Sequence, residues 1–355
     1  MRSNRSYLCR CSRPIFFRNS VCLACNSPLG YEPALGALFS LEQSEELWRV
    51  AASDKTYRRC ANLDSPSGCN WLVDSADEQT LCKSCRMDRT IPDLSVPANA
   101  ECLRRASIAQ RRLVSMLITL GLPVDDGPKF DLLRSPEDGP RVMTGHANGV
   151  ITINVDEAED PTREKIREEM HEPYRTLLGH FRHEAGHYYW DRLIRDTPWL
   201  AEFRQIFGDE QPDYASSLQA HYQNGPASDW QASFVSAYAS SHPWEDWAET
   251  WAHYLHMVDT FDTAKSFGLD PRDSIDLHIE PFQSDALFNP QNRDGRSFLN
   301  FVNSWTRLTA VMNELSRAMG LADFYPFTFS RVMVAKLHFI HSVIAQSCAT
   351  IAKAA

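Results

Sequence analysis

The stretch Arg182-His183-Glu184-Ala185-Gly186-His187-Tyr188 decides how most of this chain is read. It sits inside a helix predicted over 174–195, beginning just after Pro173. Residues four apart on a helix face the same way, so the His183 and His187 imidazoles can reach one Zn2+. Glu184 stands beside the first histidine, where it can hold a metal-bound water. A catalytic zinc keeps three protein ligands and one open position. A third ligand therefore has to come from elsewhere.

The candidates for it lie on either side. A histidine further along the same helix would need Gly at 190 and His at 193, and the chain has Trp190 and Leu193. Asp191 is one turn past His187, too close to complete a tetrahedron comfortably. Downstream, Pro243-Trp-Glu-Asp-Trp-Ala-Glu-Thr-Trp-Ala-His-Tyr-Leu-His256 predicts a second helix over 245–258. Glu245 and Glu249 are one turn apart on it. One can ligate zinc while the other accepts a hydrogen bond from a ligand imidazole. Glu245 is favoured as the ligand and Glu249 as the acceptor, with the reverse assignment open. This is the gluzincin layout. Tyr238, seven residues before Glu245, could donate to the oxyanion of a tetrahedral intermediate or be an ordinary buried tyrosine. Asp246, His253 and His256 are weaker candidates, and His180 and His242 read as structural. Trp244, Trp247 and Trp251 read as core. The chemistry implied is hydrolysis by zinc-activated water with Glu184 as general base.

The other signal is cysteine. Eight of ten fall in the first 85 residues, at 9, 11, 22, 25, 60, 69, 82 and 85. The opening lacks the apolar core of a signal peptide, so these read as metal ligands rather than disulfides. Cys9-x-Cys11 combines with Cys22-x-x-Cys25, and Cys60 and Cys69 with Cys82-x-x-Cys85. Each quartet can close a tetrahedral structural zinc site, the pattern of a zinc ribbon. Cys102 and Cys348 read as core residues.

The chain has 355 residues with 36 basic and 46 acidic side chains, a formal charge of −10. At 43% apolar and 23% charged it is an ordinary globular composition, not a disordered one. No apolar run reaches about 18 residues, so no membrane span is expected. A cytoplasmic protein is the default expectation. The opening is locally basic, with Arg2, Arg5, Arg10, Arg13 and Arg18, yet the acidic balance disfavours nucleic acid as a partner. Ile91–Pro97 reads as a linker. Residues 1–95 are thus expected to form a zinc-ribbon module and 96–355 the catalytic domain. The latter opens with a helix over about 100–121, capped by Gly121, and strands at 130–133 and 150–155, the second following an Asn148-Gly149 turn. An edge strand at 150–155 could pair with an extended peptide.

Longer strings carry a resemblance. They include Phe17-Arg-Asn-Ser-Val-Cys-Leu-Ala-Cys25, Leu29-Gly-Tyr31, Cys69-Asn-Trp-Leu72, Cys82-Lys-Ser-Cys85 and Thr144-Gly-His-Ala-Asn-Gly149. The run Glu172 to Trp190, Phe207-Gly-Asp-Glu210 and Ser236-Ala-Tyr-Ala239 through His256 complete them. With these the chain resembles, over nearly its whole length, a bacterial family of zinc-binding metallopeptidases with an N-terminal zinc ribbon. The resemblance implies zinc at His183 and His187 with Glu184 catalytic. The Glu-x-x-Ala-Glu pattern with its upstream tyrosine is similar to that of gluzincin toxins, which supports Glu245 and Tyr238.

The expected fold is α+β, a small zinc-ribbon module followed by a zincin-like, mostly helical metallopeptidase domain. The expected cofactor is zinc, one catalytic and one or two structural ions. The expected partners are a protein or peptide substrate and a protein bound by the ribbon, with no membrane. The alternative is a non-catalytic zinc-ribbon interaction protein whose helical domain keeps a structural zinc.

Overall fold

The computed structural model describes residues 5–354 apart from 137, 171 and 293. Its architecture is α+β, as expected, with short strands leading and helices dominating after residue 160. Backbone contacts group the chain into two units. One runs up to Phe181 and includes Asp262–Phe267; the other is Arg182–Phe261 with Gly268–Ala355. Among the described residues no helix is long and apolar enough to cross a membrane.

The first unit opens with the cysteine-rich segment. Hairpins β1 (Tyr7–Leu8) with β2 (Pro14–Ile15) and β3 (Leu29–Glu32) with β4 (Ala37–Ser40) are followed by an antiparallel meander. The meander is β5 (Glu42–Ser44), β6 (Leu47–Arg49), β7 (Thr56–Arg59) and β8 (Leu72–Asp74). Such short strands cannot build a large core, so the segment relies on a few aromatic anchors and its thiol clusters. Phe17 meets Tyr31 edge-on at 4.8 Å, and Tyr31 packs on the fully buried Trp71 at 5.0 Å. The Asn70 amide donates to the Phe17 and Asn19 carbonyls at 2.8 and 2.9 Å, tying the two cysteine-bearing halves together.

A mixed sheet follows, in the order β11 (Gly145–Ala147), β12 (Val150–Asn154), β10 (Lys129–Leu133), β9 (Asp88–Thr90). Phe130, Leu132, Ile151 and Ile153 are fully buried at alternate positions, so one face of the sheet is apolar. The Asn148-Gly149 turn is present, with both residues at positive φ, 51° and 78°, as a two-residue hairpin requires. Its first strand, β11, carries no apolar alternation and was not expected. That strand corrects the reading of 150–155 as an edge: β12 is paired on both sides, with β11 antiparallel and β10 parallel. The open edges belong to β11 and β9. Strand β9 comes from the cysteine-rich segment, so the sheet draws on both sides of the 91–97 linker.

The helices follow their caps. Helix α1 (Pro97–Thr119) starts at a proline in the first turn and ends at Gly121, φ 70°. Helix α2 (Asp160–Glu169) comes next, and α3 (Leu177–Leu193) starts three residues later than expected because the Thr176 hydroxyl accepts from the Gly179 N–H at 3.0 Å. The second unit continues with α4 (Trp199–Phe207), α5 (Tyr214–Asn224), α6 (Pro243–Ser266), α7 (Pro271–Ser274), α8 (Gly295–Ala318) and α9 (Arg331–Ala354). Helix α6 begins earlier than expected. Pro243 is its first residue and the His242 Nδ1 accepts the Trp244 N–H at 3.1 Å. It also runs past 258, since no breaker occurs before Gly268. Phe203, Trp247, Trp251 and Phe339 are all fully buried and form the centre of this unit.

In the first unit Glu157 is buried against Arg175 and His180. Arg175 reaches both its oxygens, at 2.7 and 2.9 Å, and the His180 Nε2 lies 2.8 Å from one. Burial alone would raise the carboxyl, but His180 and Arg175 outweigh it and hold Glu157 at about 2. A carboxylate depressed this way stabilises the fold above pH ~4.5 and loses that contribution as the pH falls towards ~2, about 3 kcal/mol in all. Glu157→Gln should lower the thermal midpoint at neutral pH and flatten its fall between pH ~4.5 and ~2. Melting curves across that window for both proteins check this; parallel curves would refute it.

Candidate metal centre

The second unit builds its site where α3 meets α6. Gly186 is the point of closest approach: a Cβ there would lie 3.0 Å from the Ala248 Cα and 3.2 Å from Trp251. The Trp247 indole donates to the Gly186 carbonyl at 2.8 Å, which fixes the rotation of one helix against the other. The same spacing occurs on both helices. Positions 183, 186 and 187 share a face of α3, and 245, 248 and 249 share a face of α6. The small residues Gly186 and Ala248 meet, so the flanking histidines and glutamates are brought face to face.

The result is a triangle of ligand-type atoms. The Nε2 atoms of His183 and His187 are 3.1 Å apart, and Glu245 Oε2 lies 3.0 Å from the first and 3.5 Å from the second. A tetrahedral zinc with bonds of about 2.0–2.1 Å has ligand–ligand edges of about 3.3–3.4 Å. These three atoms match such a face. Glu245 is 1% exposed; its Oε2 faces the two imidazole nitrogens, while its Oε1 accepts the Tyr214 hydroxyl at 2.5 Å. A buried carboxylate oxygen facing two imidazole nitrogens suits a cation. The donor set therefore fits a zinc ion.

The surroundings orient these groups. The His183 Nδ1 donates to Glu249 Oε1 at 2.7 Å, leaving Nε2 for the metal, and the Ser236 hydroxyl donates to the other oxygen of Glu249 at 2.6 Å. Burial opposes ionisation of Glu249, but His183 beside it prevails and holds the carboxyl at about 2. Burial likewise opposes a charge on His183, yet Glu245 and Glu249 push its pKa well above the usual imidazole value. The two carboxylates demand a positive charge between them, which a proton or a metal ion can supply. Glu184 is 6% exposed, and its charge acts on Tyr214 and Tyr238. The Tyr238 ring is 6.1 Å from that of His183. Burial, then the charge of Glu245, pushes its hydroxyl pKa well up, so it stays a donor.

The weaker candidates fall elsewhere. Asp191 pairs with Arg195 at 2.5 Å. His253 meets the Tyr325 hydroxyl at 2.6 Å, and His256 accepts from Arg182. Asp246 is buried against Lys336 at 2.6 Å, and the same ammonium donates to the Ser233 carbonyl, holding the segment that bears Ser236 and Tyr238. His242 caps α6. Trp247 and Trp251 are core, but Trp244 is half-buried and lies 4.0 Å from the His187 ring, beside the centre rather than in the core. Tyr214 and Ser236 were missed. Neither stands in a spacing that announces a role.

The first unit carries two thiol clusters, Cys9/Cys11/Cys22/Cys25 and Cys60/Cys69/Cys82/Cys85, a grouping that the sequence left open to ligand exchange. Sulfurs of Cys9 and Cys25 are 3.6 Å apart, of Cys11 and Cys22 3.8 Å, and of Cys69 and Cys82 3.6 Å. A tetrahedral zinc with Zn–S bonds of about 2.3 Å has edges of about 3.8 Å. All ten cysteines are free thiols. The second cluster is wholly buried, whereas Cys11 and Cys25 of the first are exposed.

Comparison with known proteins agrees with this layout. Residues 99–343 match a family described as "putative zinc-binding metallo-peptidase", and residues 6–96 match a zinc-ribbon domain. An uncharacterized protein of Mycobacterium bovis is 41% identical over 349 residues, covering 96% of this chain and 95% of its own. Two uncharacterized proteins of Mycobacterium tuberculosis match with the same identity and coverage. No solved structure is a match.

The helix contact sets a prediction. Gly186→Val places methyl groups against Ala248 and Trp251, and should destabilise the protein by about 1–3 kcal/mol. It should also spread the two ligand pairs, so zinc affinity falls with stability. Thermal melts and a chelator competition measure both, and unchanged zinc affinity in a folded variant would sink the account.

Proposed function

Because the chain belongs to the zinc-binding metallo-peptidase family, we propose that it is a zinc-dependent peptidase of gluzincin type, hydrolysing a peptide bond with Glu184 as general base. The observation that carries this reading is the buried Glu245 Oε2 facing the Nε2 atoms of His183 and His187. These three residues would hold the catalytic zinc, and the two cysteine quartets one structural zinc each. Bound zinc would supply Lewis acidity, bringing the pKa of water towards neutrality and polarising the scissile carbonyl.

The remaining work falls to side chains. Glu184 takes the water proton and passes it to the leaving amine. Tyr238 donates its hydroxyl to the oxygen that gains charge as the carbonyl becomes tetrahedral. Glu249, steadied by Ser236, keeps His183 in the tautomer whose Nε2 is free. Trp244, packed on His187, keeps that ring in place and presents apolar surface beside the reacting centre. Residues 1–95 serve as the zinc-ribbon module that binds a protein partner or substrate, and 96–355 as the catalytic domain. Two cysteine-metal clusters with no disulfide among the ten cysteines suit a reducing compartment, the cytoplasm.

Two substitutions test the reading. Glu184→Gln should leave metal content unchanged and lower peptide hydrolysis about 10²–10⁴-fold. His183→Ala combined with His187→Ala should remove one zinc equivalent by elemental analysis and abolish hydrolysis. The assay is mass spectrometry of cleavage in a mixed peptide library. Hydrolysis undiminished in Glu184→Gln, or an unchanged zinc count in the double variant, would overturn the proposal.

A further inference from the structure

The Tyr214 hydroxyl ends on the metal-facing carboxylate although it comes from outside both ligand helices. Tyr214 is the first residue of α5, a helix in which no residue is buried. Its aim is nevertheless fixed. The Asp213 side chain caps α5 by accepting the Ser216 N–H at 2.7 Å, and the Ser217 hydroxyl donates to the Asp213 carbonyl at 2.9 Å. The Tyr214 ring stands edge-on to His242 at 5.4 Å and to Trp244 at 5.6 Å. The His242 Nε2 also reaches the Pro212 carbonyl at 3.3 Å. These contacts lock the start of α5 onto the start of α6, two residues from Glu245.

We propose that Tyr214 is the positioning residue that holds Glu245 to one zinc-binding oxygen and thereby keeps a coordination position open for water. The inference rests on the peptidase reading of this centre. A carboxylate can bind zinc through one oxygen or both. Catalysis needs a free position, so a second carboxylate oxygen on the metal competes with water. Tyr214 removes that competitor by occupying Oε1 at 2.5 Å, while Oε2 alone faces the imidazoles. The phenol's proton is directed at Glu245, and the Tyr238 side chain is in turn a hydrogen-bond partner of Tyr214. Outer hydrogen bonds of this kind govern metal affinity as well as ligand direction, typically by 10–100-fold.

The test uses the full-length protein with its cysteine clusters zinc-loaded. Zinc in the histidine centre is withdrawn with dipicolinate and replaced by Co2+, whose visible bands weaken and shift to shorter wavelength as coordination number rises. The spectrum of His183→Ala treated in the same way is subtracted. Wild type should show the intense bands of four-coordination. Tyr214→Phe keeps the ring contacts with His242 and Trp244 and removes only the donor. It should show weaker bands of higher coordination and about 10–100-fold weaker metal binding. Tyr214→Leu should give the same spectral change, and far-ultraviolet circular dichroism with retained cysteine-bound zinc verifies folding. A Tyr214→Phe spectrum and affinity equal to wild type would overturn the inference while leaving the metal centre intact. A wild-type spectrum that His183→Ala does not diminish would overturn the peptidase reading of the centre, and this inference with it.

Discussion

Helices α3 and α6 approach so closely at Gly186 and Ala248 that any larger side chain would hold them apart, and the metal-facing geometry depends on that contact. Each helix contributes residues at i, i+3 and i+4. The middle member of each set is small, and the outer two are polar. Such a face cannot pack in a core without a partner, because it would bury charged groups against apolar ones. Packing two of them together converts the difficulty into a site. Each imidazole gains an oxygen within about hydrogen-bond range, and each glutamate gains a nitrogen. The ligand triangle follows from helix periodicity once the contact point is set.

The charge balance at that contact is equally constrained. Glu245 and Glu249 are both held ionised despite burial, and positive charge on His183 or between the two histidines offsets the cost. One glutamate faces the Nε2 side of His183 and the other its Nδ1 side, at 3.0 and 2.7 Å. The ring is thus gripped at both ends, and its orientation no longer depends on side-chain rotamer preference. Each glutamate then needs an anchor for its outer oxygen. Ser236 serves Glu249 and Tyr214 serves Glu245. Both anchors come from the segment between α4 and α6, so that segment shapes the ligand set although it contributes no metal-facing atom to the triangle.

What could be read beforehand follows the same physics. His183, His187, Glu245 and Glu249 were visible because each pair repeats at one helical turn, and a turn is a local property. The cysteine quartets were visible because two thiols two or three residues apart already form half a tetrahedron. Tyr214 was not visible: it contacts Glu245 across 31 residues, on a helix without an apolar stripe. Strand β11 was hidden for a related reason, since Gly145-His146-Ala147 has no alternation and is specified by its turn and partner strand. The contacts of Glu157 with Arg175 and His180 join residues 18 and 23 positions away, which no local pattern announces. Helix ends were misjudged by a few residues where a cap, Thr176 or His242, decided them.

The two thiol clusters show how the same ligand set can be built to different ends. In the Cys60 cluster all four sulfurs are buried, and the Cys82 N–H donates to the Cys60 sulfur at 3.3 Å, so the cluster belongs to the core of its segment. In the Cys9 cluster two of the four cysteines are exposed; Ser27 hydrogen-bonds the sulfur of exposed Cys25, and the Ser40 hydroxyl donates to that of buried Cys9. Around it Leu8, Phe16 and Leu23 are also exposed, in a stretch with no acidic residue before Glu32. A small segment of short strands has little apolar area to bury, and metal–thiolate bonds at its two clusters would replace it as the source of stability. That substitution would free its apolar and basic side chains from core duty. In that stretch Arg10, Arg13 and Arg18 are exposed, within a chain whose net charge is −10.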